Sequence, residues 1–134
     1  MKVTLDTRTL QLINMFQTIT GSDVTDCLDN IEDIYFVVRE NQYGLAVGKS
    51  GVKIRHAERL MKKDIRVFEY SPDVKTFITN AIPEAQEITI EDAVVTVRIK
   101  KMDRARVIGK NGTKIKAISK FLERLFHVKM LKLN

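Results

Sequence analysis

Two segments of the 134-residue chain place glycine and lysine at the same spacing. Residues 47–54 recur as residues 108–115, 61 positions later, with both glycines, both lysines and the isoleucine unchanged. A glycine between two helices provides the positive φ angle of a tight turn, and the second glycine precedes a helix whose unpaired N–H groups attract an anion. A single copy fits an exposed structural turn equally well. Two copies, each with a lysine, predict two sites for the phosphates of a polymer backbone.

The elements that must position these loops repeat as well. Residues 34–38 and 94–99 are rich in β-branched and aromatic side chains, which predicts a strand before each loop. Residues 42–47 and 103–108 then leave room for one or two helical turns. After each loop, apolar residues at helical spacing predict an amphipathic helix with a buried stripe. The stripe consists of Ile54, Ala57, Leu60 and Met61 in the first copy and of Ile115, Ile118, Leu122 and Leu125 in the second.

Further elements complete each half of the chain. A helix is predicted over residues 7–20, with Gly21 as its stop. A second helix is predicted to start with Ser71 as its cap and Pro72 in its first turn, and to end before Pro83. Short strands are predicted over residues 24–28, 65–70, 87–90 and 128–133. Both halves therefore have the order helix, strand, strand, short helix, loop, helix, strand.

Charge is distributed unevenly between the halves. The chain carries a net charge of +6, yet residues 1–70 hold ten basic and ten acidic side chains. From Arg98 to the end there are twelve Lys and Arg against Asp103 and Glu123. Such a basic end favours a polyanionic partner, although charge alone does not separate RNA from DNA or from an anionic membrane.

Composition excludes several classes of protein. The longest apolar runs fall far short of the roughly 20 residues that cross a bilayer, and the first residues lack the apolar core of a signal peptide. We therefore expect a cytoplasmic protein without membrane association. Cys27 is the only cysteine, so no intrachain disulfide or zinc cluster is expected, and a partly buried apolar role fits it best.

A nucleotide hydrolase is the competing interpretation from another class. Residues 44–50 resemble a phosphate-binding P-loop, which requires four residues between its glycines, but only three separate Gly44 from Gly48. The second copy has Ala105 in place of Gly44 and Asn111 in place of the hydroxyl residue Ser50. We therefore predict no enzyme activity, no catalytic residues, no metal site and no cofactor.

The loops with their flanks resemble the KH signature, in which an apolar pair precedes Gly-x-x-Gly, two further residues and isoleucine. The extra helix and strand before this core are similar to the type II arrangement. Two tandem copies without a Gly/Ser-rich linker resemble the KH pair of NusA transcription factors, and a chain of this size resembles the archaeal NusA-like proteins. The resemblance covers most of the chain.

This resemblance implies an α+β fold of two tandem type II KH domains, residues 1–70 and 71–134. Each would be αββααβ, with a three-stranded mixed sheet covered by helices on one face. Each loop would clamp the backbone of about four unpaired nucleotides. The implied RNA-binding residues are Gly48, Lys49, Ser50, Gly51 and Lys53 in the first domain, and Arg104, Arg106, Gly109, Lys110, Asn111, Gly112 and Lys114 in the second.

The function implied is that of a non-enzymatic factor of transcription termination or antitermination that binds single-stranded RNA. RNA polymerase or the transcription complex is a candidate partner, and we expect a monomer. The bacterial relatives carry a polymerase-binding region and an S1 domain for which this chain has no room. Two alternatives remain: a KH factor of ribosome assembly or rRNA processing, and an adaptor whose KH folds no longer bind RNA.

Overall fold

The computed structural model describes residues 6–134, which divide into two compact units between Ser71 and Pro72. This division lies one residue beyond the boundary expected from the repeat. No helix within residues 6–134 is long and apolar enough to cross a membrane.

Within residues 6–71, the first unit contains three helices and three strands, with a short 3₁₀ turn in the loop. In chain order they are α1 Thr7–Thr20, β1 Val24–Asp29, β2 Asp33–Val38, α2 Tyr43–Val47, the 3₁₀ turn Lys49–Gly51, α3 Val52–Met61 and β3 Asp64–Glu69. Strand β2 lies in the centre, antiparallel to β1 and parallel to β3. The predicted three-stranded mixed sheet is therefore confirmed.

Helix α1 has the start and stop that its sequence predicts. The Asp6 carboxylate accepts a hydrogen bond of 2.7 Å from the Thr9 N–H. This backbone bond lowers the pKa of Asp6 below its ordinary value. The helix ends at Gly21, which adopts φ 77° and donates its N–H to the Gln17 carbonyl. Between these caps, Phe16 stacks on Phe36 of β2 with ring centroids 4.1 Å apart and anchors the helix on the sheet.

The core of the first unit lies between the helices and one face of β2. It contains Phe36 and other alternate residues of that strand, together with Ala46 of α2 and Ala57 of α3. The other face of β2 is buried as well, because Tyr35 and Val37 are 2% and 0% exposed. The central strand is therefore enclosed on both faces.

An ion-pair cluster ties the elements of the first unit together at the surface. Asp29 accepts hydrogen bonds of 2.7 Å from both Arg8 of α1 and Lys63, which lies between α3 and β3. Partial burial raises the pKa of Asp29, but the hydrogen bonds from these two cations outweigh it and hold the pKa below the ordinary value.

The second unit repeats this topology. Its elements are α4 Val74–Ala81, β4 Glu87–Glu91, β5 Val94–Arg98, the 3₁₀ turn Lys101–Asp103, α5 Arg104–Ile108, the 3₁₀ turn Lys110–Gly112, α6 Thr113–Phe126 and β6 Met130–Leu133. The central strand β5 is antiparallel to β4 and parallel to β6. Helix α6 is four residues longer than α3, so the 61-residue offset does not extend to the last strand.

Two sequence-based predictions about the helices were wrong in detail. Asp73, not Ser71, caps α4: its carboxylate accepts hydrogen bonds from both the N–H (3.1 Å) and the hydroxyl (2.6 Å) of Thr76. A carboxylate is a stronger acceptor than a serine hydroxyl, so the helix starts two residues later. Leu60, predicted to face the core, is 55% exposed. At 100° per residue it lies about 120° from Ile54, at the edge of the buried stripe.

Candidate nucleic-acid interface

The two glycine loops adopt the same backbone conformation. The first glycines have φ 79° and ψ 170° at Gly48 and φ 80° and ψ 171° at Gly109. The second glycines, Gly51 and Gly112, lie in the left-handed region at φ 75° and φ 72° and are the N-caps of α3 and α6. The repeat seen in the sequence is thus a repeat of structure.

Both first glycines are required by close packing. A Cβ atom on Gly48 would lie 2.7 Å from Cγ of Lys53 and 3.0 Å from the Lys53 backbone nitrogen. A Cβ atom on Gly109 would lie 2.7 Å from Cβ of Lys114. The lysine in the first turn of the following helix therefore packs directly on the glycine, at a separation that real Cβ atoms do not reach.

The second glycines leave the following helices without a side-chain cap. The N–H of Gly51 is donated to the Gly48 carbonyl at 3.0 Å, and that of Gly112 to the Gly109 carbonyl at 3.1 Å. The glycines thus shape the loop through their own backbone bonds. Because a glycine cap cannot accept a hydrogen bond through a side chain, the positive end of each helix dipole faces the loop without a protein anion.

Exposed polar side chains occupy the two positions between the glycines. Lys49 and Lys110 are exposed at the first of them. Ser50 and Asn111 hold the second with φ 54° and φ 57°. Asparagine tolerates this left-handed conformation better than serine does. Each loop therefore has one lysine and one neutral hydrogen-bonding residue exposed between its glycines.

Arg55 was not among the sequence-predicted site residues, although it braces the first loop. Its guanidinium donates a hydrogen bond of 2.5 Å to the Ser50 carbonyl. Lys116 occupies the corresponding place in the second unit, with its Cε 3.7 Å from where a Cβ on Gly112 would lie. Both residues come four positions after the second glycine of their loop. Comparison of the two copies of the repeat would therefore have identified them from the sequence.

The two lysines that follow the loops have different surroundings. The Lys53 ammonium donates a hydrogen bond of 2.8 Å to the carbonyl of Thr20, the last residue of α1. For Lys114, no hydrogen bond or ion pair of the ammonium group occurs within residues 6–134. The structure thus brings both beside the loops, while Lys53 already holds a protein partner.

The two arginines before the second loop lie on α5 and are exposed. Arg106 contacts Asp103 at 3.1 Å and Glu84 at 3.7 Å, and its side chain is 66% exposed. The carboxylates of Asp103 and Glu84 are largely buried, at 18% and 15% exposed, so Arg106 has protein partners while its own side chain stays largely open to solvent.

Geometry also separates the first loop from a nucleotide-binding P-loop. Residues Tyr43–Val47 form helix α2, whereas a P-loop connects a strand directly to a helix and wraps its backbone around phosphates.

Cys27 is 2% exposed and belongs to the apolar core. Among the described residues, no group of three or more His, Cys, Asp or Glu could hold a metal ion.

Comparison with known proteins agrees with this geometry. The KH domain family matches residues 14–85. "Probable transcription termination protein NusA" of Methanococcus vannielii is 34% identical, over 98% of this chain and 80% of that protein. The protein of the same name from Methanocaldococcus jannaschii is 31% identical, over 99% and 75%. The crystal structure of APE1850 is similar with a TM-score of 0.78 and 25% identity, covering 97% of this chain and 100% of that one.

Proposed function

The chain belongs to the KH domain family, within the NusA-like group of archaeal proteins, and from this premise we propose that it is a non-enzymatic factor of transcription termination or antitermination that binds single-stranded RNA. Both compact units act as type II KH domains in this proposal. The transcription complex, including RNA polymerase, is the proposed partner, and the protein acts as a monomer.

The observation that carries the proposal is the pair of congruent loops. Each loop presents a lysine, Lys49 or Lys110, in front of a helix whose N-terminus has no acidic cap. A phosphate would gain from the ammonium charge and from the helix dipole at once. Two such sites on one chain suit a polymer with regularly spaced phosphates and unpaired bases, which is how KH domains bind RNA.

The role proposed for each basic side chain depends on what that side chain already contacts in the structure. Lys49, Lys110, Arg104, Arg106 and Lys114 are the cations proposed to touch phosphates, because each is at or beside a loop. Arg55 supports the first loop by fixing the Ser50 carbonyl. Lys53 is proposed to act mainly through packing, since its ammonium is bonded to Thr20.

A charge-matched pair of variants tests the proposal. The loop variant combines Lys49→Asp with Lys110→Asp. The control combines Lys62→Asp with Lys129→Asp, which changes the net charge by the same amount. Lys62 and Lys129 lie just before β3 and β6, where these strands begin their parallel pairing with the central strand. This is the end of the central strand that lies away from the loop. Fluorescence anisotropy with a labelled single-stranded RNA would be measured for both, and circular dichroism would verify the fold.

The loop variant is expected to lose at least about tenfold in affinity, because each charge reversal repels a phosphate as well as removing a contact. The control is expected to lose far less, through long-range charge alone. Equal losses in both variants, or undiminished RNA binding by the loop variant, would reject the loops as the RNA clamp.

A further inference from the structure

The helix before each loop exposes different chemistry in the two units. Helices α2 and α5 have the same length of five residues and end at the same distance from their loops. The 61-residue offset therefore pairs them residue by residue. Their buried positions agree, since Ala46 and its counterpart Val107 are both 0% exposed.

The exposed positions do not agree. Tyr43 and Leu45 of the first unit are 48% and 43% exposed, and their counterparts in the second unit are the exposed residues Arg104 and Arg106. After the loop, Val52 is 51% exposed. Its counterpart Thr113 instead donates its hydroxyl to the Lys110 carbonyl at 2.9 Å. Three surface positions around the first loop are thus apolar where the second unit is polar or cationic.

Charge around α2 reinforces this difference. The Glu69 carboxylate accepts a hydrogen bond from the Tyr43 N–H at 3.1 Å. The Asp23 carboxylate accepts one from the side-chain amide of Gln42 at 3.1 Å, just before the helix. Helix α2 carries no basic residue to offset these carboxylates, whereas Arg106 of α5 contacts Asp103 and Glu84 in the second unit. Exposed apolar groups in the same place favour a ligand surface without charge.

We infer that the two units divide RNA recognition between them: Tyr43, Leu45 and Val52 contact the faces of unpaired bases, whereas Arg104 and Arg106 hold phosphates. The inference rests on the proposed function and specifies how each unit performs it. Tyr43 provides an aromatic surface for base stacking, which tolerates any base because every base has a π face. Leu45 and Val52 provide apolar contacts on either side of the loop.

The apolar residues adjoin the first loop in the chain, and for this reason we take the ligand that contacts them to be RNA. Val52 follows Gly51 directly, and Leu45 precedes Gly48 by three residues. In this inference, a nucleotide strand whose backbone is held at Lys49 places its bases against these side chains. The counterpart positions in the second unit carry two arginines, which are suited to the same ligand through its phosphates.

Tryptophan fluorescence tests the base contact directly. The chain contains no tryptophan, so Tyr43→Trp introduces a single reporter. Titration of the full chain with a single-stranded RNA of randomised sequence is expected to quench its emission by stacking. The RNA would be about 16 nucleotides long, twice the roughly eight that two KH sites of about four nucleotides occupy. Ile31→Trp is the matched control, because Ile31 is 92% exposed in the turn between β1 and β2. Its emission is expected to stay unchanged.

Salt dependence separates the two kinds of contact. Tyr43→Ala with Leu45→Ala is expected to lower RNA affinity about tenfold at every salt concentration, as loss of stacking does. The slope of log affinity against log salt should stay the same. Arg104→Gln with Arg106→Gln is expected to reduce that slope by up to about 1.4, since each phosphate contact on a single strand contributes roughly 0.7.

The outcomes distinguish this inference from the function on which it rests. Absence of RNA binding by the unaltered chain would reject the proposed function itself. If the unaltered chain binds RNA while Tyr43→Trp emission and the affinity of the double alanine variant stay unchanged, the division of roles is wrong and the function stands. Reduced self-association of the double alanine variant in sedimentation, with RNA affinity retained, would identify the apolar surface as a protein contact and equally overturn the inference.

Discussion

At Gly48 the packing leaves no room for a methyl group. The side chain of Lys53 crosses the glycine so closely that a Cβ atom there would meet both Cγ and the backbone nitrogen of that lysine. The backbone nitrogen cannot move without shifting the first turn of α3. Gly112 differs, because its nearest neighbour is Cε of Lys116 at 3.7 Å. Its requirement for glycine comes from φ alone.

These surroundings predict a graded effect of alanine on stability. Gly48→Ala is expected to lower the free energy of unfolding by about 2–4 kcal/mol, through positive φ and overpacking together. Gly112→Ala should cost about 1–2 kcal/mol from φ alone. Gly44→Ala is the control: it copies Ala105 at the helical counterpart position, has open space around it, and should be neutral or stabilising by up to about 1 kcal/mol. Urea denaturation midpoints would test this order, and equal losses at Gly48 and Gly112 would contradict it.

Single residues of the site could be predicted from the sequence only where their partners are local. The left-handed glycines follow from the repeat, because the turn between two helices demands such a conformation. The bond between Lys53 and the Thr20 carbonyl joins residues 33 positions apart. It depends on how α1 and α3 pack, which the residue pattern does not specify. The loop lysines are recognisable from the sequence, but the different surroundings of Lys53 and Lys114 are not.

A side chain of α3 donates a hydrogen bond to the last carbonyl of helix α1. The last carbonyls of a helix have no partner within it and carry the negative end of its dipole. The Lys53 ammonium binds the carbonyl of Thr20, and the Thr20 hydroxyl in turn donates to the Phe16 carbonyl at 2.8 Å. A residue beside the loop therefore fixes the end of the helix that covers the sheet.

Substitution of the two equivalent lysines separates this structural role from RNA binding. Lys53→Met is expected to lower the free energy of unfolding by about 1–2 kcal/mol, because a bond to a charged donor is lost, and to leave the salt slope of RNA binding unchanged. Lys114→Met is expected to leave stability nearly unchanged and to reduce that slope by about 0.7. Methionine retains the apolar stem of lysine that packs on the glycine.

Denaturation and RNA titration of both variants would provide the comparison. A reduced salt slope for Lys53→Met with normal stability would show that this ammonium leaves Thr20 to contact RNA. Identical behaviour of the two variants in both measurements would mean that the difference in their surroundings has no functional consequence.

Elements were predictable where periodicity and capping agreed. Helix α1 and the central strands have unambiguous patterns, and their predicted positions agree with the structure to within a residue or two. The start of α4 was missed because Ser71 and Asp73 both suit a cap, and the choice depends on the double bond to Thr76. The last strand begins at Met130 rather than Val128, because α6 extends to Phe126 and is stopped by His127 at φ 59°.

For the molecule as a whole, duplication and charge could both be predicted from the sequence. The 61-residue offset indicates two similar halves, and the structure divides into two compact units within a residue of the expected boundary. The exchange of apolar for cationic residues around the loops needed the structure. Exposure distinguishes a surface tyrosine, leucine or valine from a buried one, and the sequence alone assigns such residues to the core by default.

The uneven charge of the two halves makes the two loops respond differently to salt. The first 70 residues are neutral, whereas residues 71–134 carry the entire net charge of +6. Reversal of charge at Lys110 therefore acts on a basic surface that attracts RNA over a long range. Reversal at Lys49 acts on a surface whose proposed contacts with bases are largely apolar. Long-range attraction is screened within about 10 Å at 0.1 M salt and within about 3 Å at 1 M.

We therefore expect Lys110→Asp to weaken RNA binding more than Lys49→Asp at about 0.05 M salt, by roughly tenfold against a few-fold, and the two losses to converge near 0.5 M. The convergence follows because salt screens the phosphate contacts but leaves the apolar contacts of the first unit intact. At high salt the first loop, which positions those apolar contacts, therefore contributes a larger share of the RNA affinity. Anisotropy titrations of each single variant at both concentrations would measure the four affinities. Equal losses at low salt would show that attraction arises from both units alike, and losses that stay apart at about 0.5 M would contradict the stated effect of screening.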